Sequence, residues 1–127
     1  LQILQAAVRP FQHDRVYFLA ITRPDTFAKG ANYVFGLSKN NDHYAVMSYR
    51  RFTADFWKAA PNRERLLERA VKQAMSSVGF MPGVPRCTSP TCARAFPNSL
   101  AEHDAKSLNL CPACSNGFVR ALFNNRQ

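Results

Sequence analysis

Four cysteines are the residues of this chain best suited to chemistry, and all lie in its last third. Cys87, Cys92, Cys111 and Cys114 have 4, 18 and 2 residues between successive members. Two close pairs separated by a longer loop can gather four thiolates around one ion. Zinc accepts four such ligands in a tetrahedron at about 2.3 Å without demanding a large core. Cys111-Pro112-Ala113-Cys114 is a compact knuckle, and Cys87-Thr88-Ser89-Pro90-Thr91-Cys92 a slightly wider one. Sulfur at all four positions leaves none for water or substrate, so the expected ion is structural. Two disulfides, four unrelated thiols and an iron–sulfur cluster are the competing readings. The first suits a secreted chain, of which there is no sign, and the spacing does not follow the ferredoxin runs. Four thiolates around Zn²⁺ carry −2 and would lower the formal charge from +9 to about +7. Arg86, Arg94 and Lys106 are close enough in sequence to offset part of that charge. His13, His43 and His103 are scattered and read as surface or loop side chains.

The elements that must position the cysteines are legible in outline. Residues 1–8 suggest a short helix broken by Pro10. Arg15 to Thr22 is rich in β-branched and aromatic residues and stops before Pro24, which predicts a buried strand. Asn32–Leu37 and Tyr44–Tyr49 predict two more strands, joined as a hairpin by the turn-forming Ser38-Lys39-Asn40-Asn41-Asp42. Pro61 to Val78 is the strongest helical segment, with Asn62 or the segment before it as its cap, Gly79 as its end and Leu67, Val71, Ala74, Met75 and Val78 as an apolar stripe. Met81-Pro82-Gly83-Val84-Pro85 cannot continue a helix, and a helical turn is expected from Ser99 to Lys106. Strands, then helix, then metal loop make an α+β domain with a mixed sheet.

Composition bounds the function. The chain has 127 residues, enough for one domain, and 46% are hydrophobic and 12% aromatic, too many for a disordered basic tail. No apolar run approaches the ~18 residues that span a bilayer. The chain opens at Leu1 without a signal-like pattern and is expected to be either a processed or a trimmed product, with any targeting peptide lost from view. A charge of +9 favours acidic partners without choosing among them. Between Arg50 and Lys72 stand seven basic and three acidic residues. They are either a solvated face with pairs such as Glu64 and Glu68 against Arg65 and Arg69, or a contact surface. On the second reading Arg50, Arg51, Lys58, Arg63, Lys72 and Trp57 would meet phosphates or a protein partner. Lys29-Gly30-Ala31-Asn32-Tyr33-Val34-Phe35 is weakly similar to an RNA-stacking strand, but core or edge packing is the stronger expectation.

With these residues in view, the chain resembles the archaemetzincins, small metzincin-like zinc peptidases. Their pattern is H-E-x-x-H-x-x-G-x-x-H-C-x4-C-x-M, followed later by Leu-Cys-Pro-x-Cys. The three His bind a catalytic zinc and the four Cys a structural one. Cys87-x4-Cys92 and Leu110-Cys111-Pro112-Ala113-Cys114 match the second site. Asn98-Ser99-Leu100, Glu102 and Asp104 resemble the stretch between the pairs. Asn32 to Gly36 and Ala45 to Arg50 resemble the hairpin before the active-site helix. Aligning Gly79 with the family glycine puts Lys72 and Ser76 at the first two His positions, Gln73 at the Glu position and Arg94 at the Met position. Pro82 to Pro85 stand where the third His belongs.

The resemblance implies a single domain over 1–127. Its expected parts are a truncated N-terminal helix and loop (1–14), the sheet and central helix (15–85), the zinc loop region (86–116) and a tail (117–127). It implies one zinc ion held by the four cysteines. Lys72, Gln73 and Ser76 cannot do the work of two His and a Glu. The expectation is therefore no enzyme, but a structural subunit of a larger assembly in a reducing intracellular compartment, a mitochondrial ribonucleoprotein or respiratory complex among the hosts, with protein subunits and RNA as partners. The alternatives are a residual zinc metallopeptidase and a regulatory module that holds peptides in the inherited cleft.

Overall fold

A computed structural model describes residue 6 and residues 9–11, 16–38 and 43–124. His13, the turn at residues 39–42 and all of the expected helix over residues 1–8 except residue 6 lie outside them. Three strands form one mixed sheet in the order β1-β3-β2. β1 (Phe18–Thr22) runs parallel to β3 (Tyr44–Ser48), with Phe18 opposite Tyr44 and Thr22 opposite Ser48. β2 (Gly36–Ser38) runs antiparallel to β3, with Gly36 opposite Met47. The central strand is the most buried, and its Ala45 and Met47 have no exposed surface. The outer strands are shorter than expected. Val34 leaves the ladder to pair with Thr26 instead, through its N–H to the Thr26 carbonyl at 2.8 Å.

The helix α1 (Arg63–Phe80) packs across β2 and β3. Asn62 caps it, its Oδ1 accepting the Arg65 N–H at 3.0 Å. The helix continues through Gly79, the expected end, because Phe80 and Gly79 still have partners for their carbonyls: Gly83 N–H donates to Phe80 and Val84 N–H to Gly79, each at 3.1 Å. Gly83 makes that reversal at φ +93°. The buried face of α1 is not the apolar stripe read from the sequence. Leu67 and Val71 are exposed, whereas Arg69, Lys72, Gln73 and Ser77 are buried. These polar groups can go inside because each finds a partner. Arg69 grips Asp104 through two contacts of 2.8 Å and reaches the Phe52 carbonyl at 3.0 Å. Lys72 Nζ donates to the Asp104 carbonyl at 2.8 Å, and Gln73 Nε2 to Ser77 Oγ at 3.1 Å.

The core joins Phe35, Met47 and Phe52, with Leu19, Leu66, Ala70, Ala74 and Leu100 packed against them. Phe35 thus belongs to the core, and Arg51 covers Tyr33 at 3.8 Å, so the strand carries no free stacking surface for RNA bases. Two further helices follow: α2 (Leu100–Ala105), capped by Ser99, and α3 (Pro112–Asn124). α3 absorbs most of the expected tail. α2 carries His103 inward to complete burial, against the surface position expected of it. The flat ring suits the gap between Phe52 and Phe35, with centroids 4.8 and 5.2 Å away.

Candidate metal centre and cleft

The two cysteine turns converge as their spacing predicts. The ligand atoms of Cys87, Cys92, Cys111 and Cys114 all lie within 4.8 Å of one another, and Cys87 Sγ is 3.7 Å from Cys111 Sγ. A tetrahedron with zinc–sulfur bonds of ~2.3 Å has an edge close to that last value. None of the four is in a disulfide. Backbone N–H groups already point at sulfur: Ser89 to Cys87 at 3.4 Å, and Arg94 and Cys111 to Cys92 at 3.4 and 3.3 Å. Such donors favour thiolate over thiol. The backbone N–H of Cys114, at the start of α3, lowers Cys111 to about 7, while burial pushes the Cys87 and Cys114 thiols up. A bound cation would deprotonate all four. The site fits one zinc ion, and the fit rests on four soft donors at tetrahedral separations.

The position of the family's other ion does not fit. Among the described residues, the only cluster of potential ligands is the four-cysteine one. Lys72 is 2% exposed and directs its ammonium at the Asp104 carbonyl and, at 3.1 Å, at Glu68. Gln73 is spent on Ser77. Arg94, 1% exposed, threads between the helix end and the Pro-rich loop. Its guanidinium donates to the carbonyls of Ser76 and Val84 and lies 4.9 Å from the centre of the Phe80 ring. A fixed guanidinium and a fixed ammonium offer no lone pairs to a metal.

Next to this helix end is a cleft of about 480 Å³, bounded by the segment from Ala31 to Ser38, by Gln73, Ser76, Ser77 and Phe80 of α1, and by Arg86 and Phe96 to Asn98. β2 forms its rim and is an edge strand. Antiparallel pairing alternates the direction of backbone groups along a strand. The Phe35 carbonyl accepts from Ser48 on the β3 side, and the Val34 N–H turns the other way to Thr26. Gly36 and Ser38 therefore present their N–H and C=O groups away from β3. A Cβ at Gly36 would sit 2.5 Å from Gln73 Nε2 and 3.1 Å from the Val46 carbonyl oxygen, so a larger residue would have to displace the Gln73 side chain. The edge of the hairpin strand is where the peptide-holding alternative places its ligand, whereas Phe80 and Phe96 are cleft residues the sequence leaves unmarked. The one signal for them was the Pro on either side, at Pro85 and Pro97, which marks extended backbone around the cleft.

The contact candidates fare unequally. Arg51 is held bidentately by Asp25 and Arg50 is paired with Asp55 at 2.9 Å. Trp57, 48% exposed, donates its Nε1–H to the Arg51 carbonyl. Lys58 and Arg63 are exposed. Lys72 is withdrawn from any partner because it lies on the inward face of α1, where a carbonyl and Glu68 satisfy it. Glu68 thus pairs with Lys72, and Arg69 with Asp104, in place of the helix-surface pairs expected among Glu64, Glu68, Arg65 and Arg69.

Comparison with known proteins gives this geometry a family. The archaemetzincin of Thermococcus kodakarensis is 35% identical over 104 residues, which is 82% of this chain and 56% of that protein. The crystal structure of an archaemetzincin from Methanopyrus kandleri superposes with a TM-score of 0.82 at 31% identity, over 96% of this chain and 64% of that one. A zinc-dependent peptidase from Methanocorpusculum labreanum also gives 0.82, at 26% identity, over 89% of this chain and 59% of that one. This chain spans about half the length of the curated relatives it matches. No helix of the described residues is long and apolar enough to cross a membrane. The names of these relatives correct one expectation drawn above. Lys72, Gln73 and Ser76 suggested a chain that is no enzyme, but relatives at 33–35% identity carry a zinc peptidase's name and point to an enzyme. Residues 2–120 match peptidase family M54, and with the four-cysteine centre and the α+β fold in place, the chain belongs to that family of archaemetzincins.

Proposed function

We propose that this chain acts on polypeptide, taking an extended segment as an added strand along the open edge of β2 with side chains in the cleft below. The observation that carries this reading is the outward backbone at Gly36 and Ser38, lying along a cleft that α1 floors. Strand addition needs only backbone donors and acceptors, and the pocket beneath sorts alternate side chains. The peptidase names of the relatives support the same choice of ligand. Zinc at the four cysteines would brace the wall that carries Phe96 to Asn98. The cleft residues do not fit a second ion held by histidines, so no hydrolytic step is routed through one.

Titration of fluorescein-labelled extended peptides by anisotropy tests the reading. Saturable binding is expected, weakened about tenfold by Ser38→Pro, which removes one outward N–H at the strand end. No saturable binding across a mixed peptide library would overturn it. Mass spectrometry of the recovered peptides, with and without chelator, reads cleavage in the same samples. The finer placement expected from charge, docking into a larger assembly such as a mitochondrial ribonucleoprotein, has its support in the exposure of Trp57, Lys58 and Arg63, and gentle co-purification is its test.

A further inference from the structure

At the outer wall of the cleft, Arg86 lies over two aromatic rings. Its guanidinium carbon is 4.2 Å from the centre of Phe96 and 5.3 Å from that of Phe80. Phe96 is 52% exposed, and Arg86 is exposed as well. Among the described residues no carboxylate pairs with Arg86, whereas Arg50, Arg51 and Arg69 each hold one. Among the described residues Arg86 is also the only charged side chain lining the cleft. A guanidinium stacked on a ring keeps its N–H fork free and pre-aimed, and that fork matches a carboxylate bidentately. The rings beside it are an apolar surface left open to solvent.

We infer that the cleft selects an extended peptide in which an apolar or aromatic residue and an Asp or Glu stand two positions apart, so that both side chains face the cleft, the apolar one lying on Phe96 and Phe80 and the carboxylate on Arg86. This rests on the peptide-cleft reading above and names its specificity. The carboxylate assigned is that of a side chain, not of a chain end. Capture of a chain end uses clustered backbone N–H groups, and the residues flanking Arg86 and Phe96 form no such cluster. Pro85 and Pro97 bring no N–H, the Cys87 N–H goes to the Arg94 carbonyl at 3.3 Å, and the Asn98 N–H goes to Glu102 at 2.7 Å.

The test compares three fluorescein-labelled peptides: Ala-Ala-Phe-Ala-Glu-Ala with an amidated C-terminus, its Gln counterpart, and the Gln peptide with a free C-terminal carboxylate. The Glu peptide is expected to bind the zinc-loaded chain about tenfold more tightly than its Gln counterpart at low salt, with the gap shrinking as salt rises. In Arg86→Gln the gap should fall below twofold while the Gln peptide keeps its affinity, and Arg86→Lys should retain part of the preference. Circular dichroism confirms folding of both variants. Equal binding of the Glu and Gln peptides, or a preference that survives Arg86→Gln, would overturn the inference while leaving the peptide cleft standing. Tightest binding by the free chain end would overturn the side-chain assignment. Failure of all three peptides to bind, with the mixed library also silent, removes the cleft reading and this inference together.

Discussion

His103 has no exposed surface and one polar contact, from Nε2 to the Arg69 carbonyl at 2.9 Å. A carbonyl can only accept, so the ring proton sits on Nε2 and buried Nδ1 is left without a partner. Burial is the chief reason its pKa drops to about 4; the Arg69 carbonyl works against the drop, and Lys106 and Lys72 add to it. The unfolded chain takes up a proton near pH 6.5 and the folded chain only near 4. Between those values the unfolded state binds more protons, so stability falls as pH falls, by about 3 kcal/mol in all. Melting temperature should therefore decline from pH 7 to pH 4, and His103→Gln should remove most of that decline. Matching slopes in the two proteins would contradict this account. Asp104 acts lower on the scale. Burial raises its pKa, but the hydrogen bond and charge of Arg69 outweigh burial and hold it below the ordinary value. Its contribution is present above the unfolded pKa and is lost only as pH falls through the folded one.

At the scale of the element, α1 turns Arg69, Lys72, Gln73 and Ser77 inward beside Leu66, Ala70 and Ala74 and leaves Leu67 and Val71 exposed. Gly79 shows what the arrangement requires. A glycine-to-alanine change in an exposed helix interior usually stabilises by up to about 1 kcal/mol. Here an added Cβ would lie 2.6 Å from Arg94 Cδ, and Arg94 cannot step aside because two carbonyls hold its guanidinium. Gly79→Ala is expected to destabilise by roughly 2 kcal/mol, the cost typical of overpacking a closed site. Urea denaturation measures it, and a stabilised variant would show that Arg94 is not fixed. Its role follows from the same contacts. Arg94 ties the last turn of α1 to Val84, while its own N–H reaches Cys92. The cleft floor and the cysteine centre are thereby joined through one residue.

For the molecule as a whole, the balance lies between a small sheet with an apolar core on one side and a metal loop with little core on the other. Buried Arg94 and Lys106 stand close to that loop. Burial is the main cause that lowers Lys106 to about 8, and it lowers Arg94 too, whereas the charge of Cys92 works in the opposite direction on both. A zinc-loaded centre with four thiolates supplies the negative charge these cations lack without it. Metal analysis is expected to find at least one zinc per chain. Cys111→Ser, or treatment with a strong chelator, should lower the melting temperature by ~10 °C or more. An unchanged melting temperature would show that the C-terminal third holds together without metal.

The amino-acid order alone determined the cysteine centre, the capped start of α1, the central strand and the class of fold. Each depends on neighbours within a few residues, on a spacing or on a short alternating pattern, and such signals survive without knowledge of the rest of the chain. Which face of α1 turns inward was decided only in three dimensions. Leu67 and Val71 outweigh Lys72 and Gln73 on any hydrophobic pattern, yet Asp104, 32 residues beyond Lys72, supplies the carbonyl that makes its burial tolerable. His103 was misread for the same reason, because its pocket is made by Phe35 and Phe52. The open edge of β2 and the Arg86 stack are likewise products of chain segments brought together from a distance. Long-range partners set the energy of burying a polar group, and no local pattern carries them.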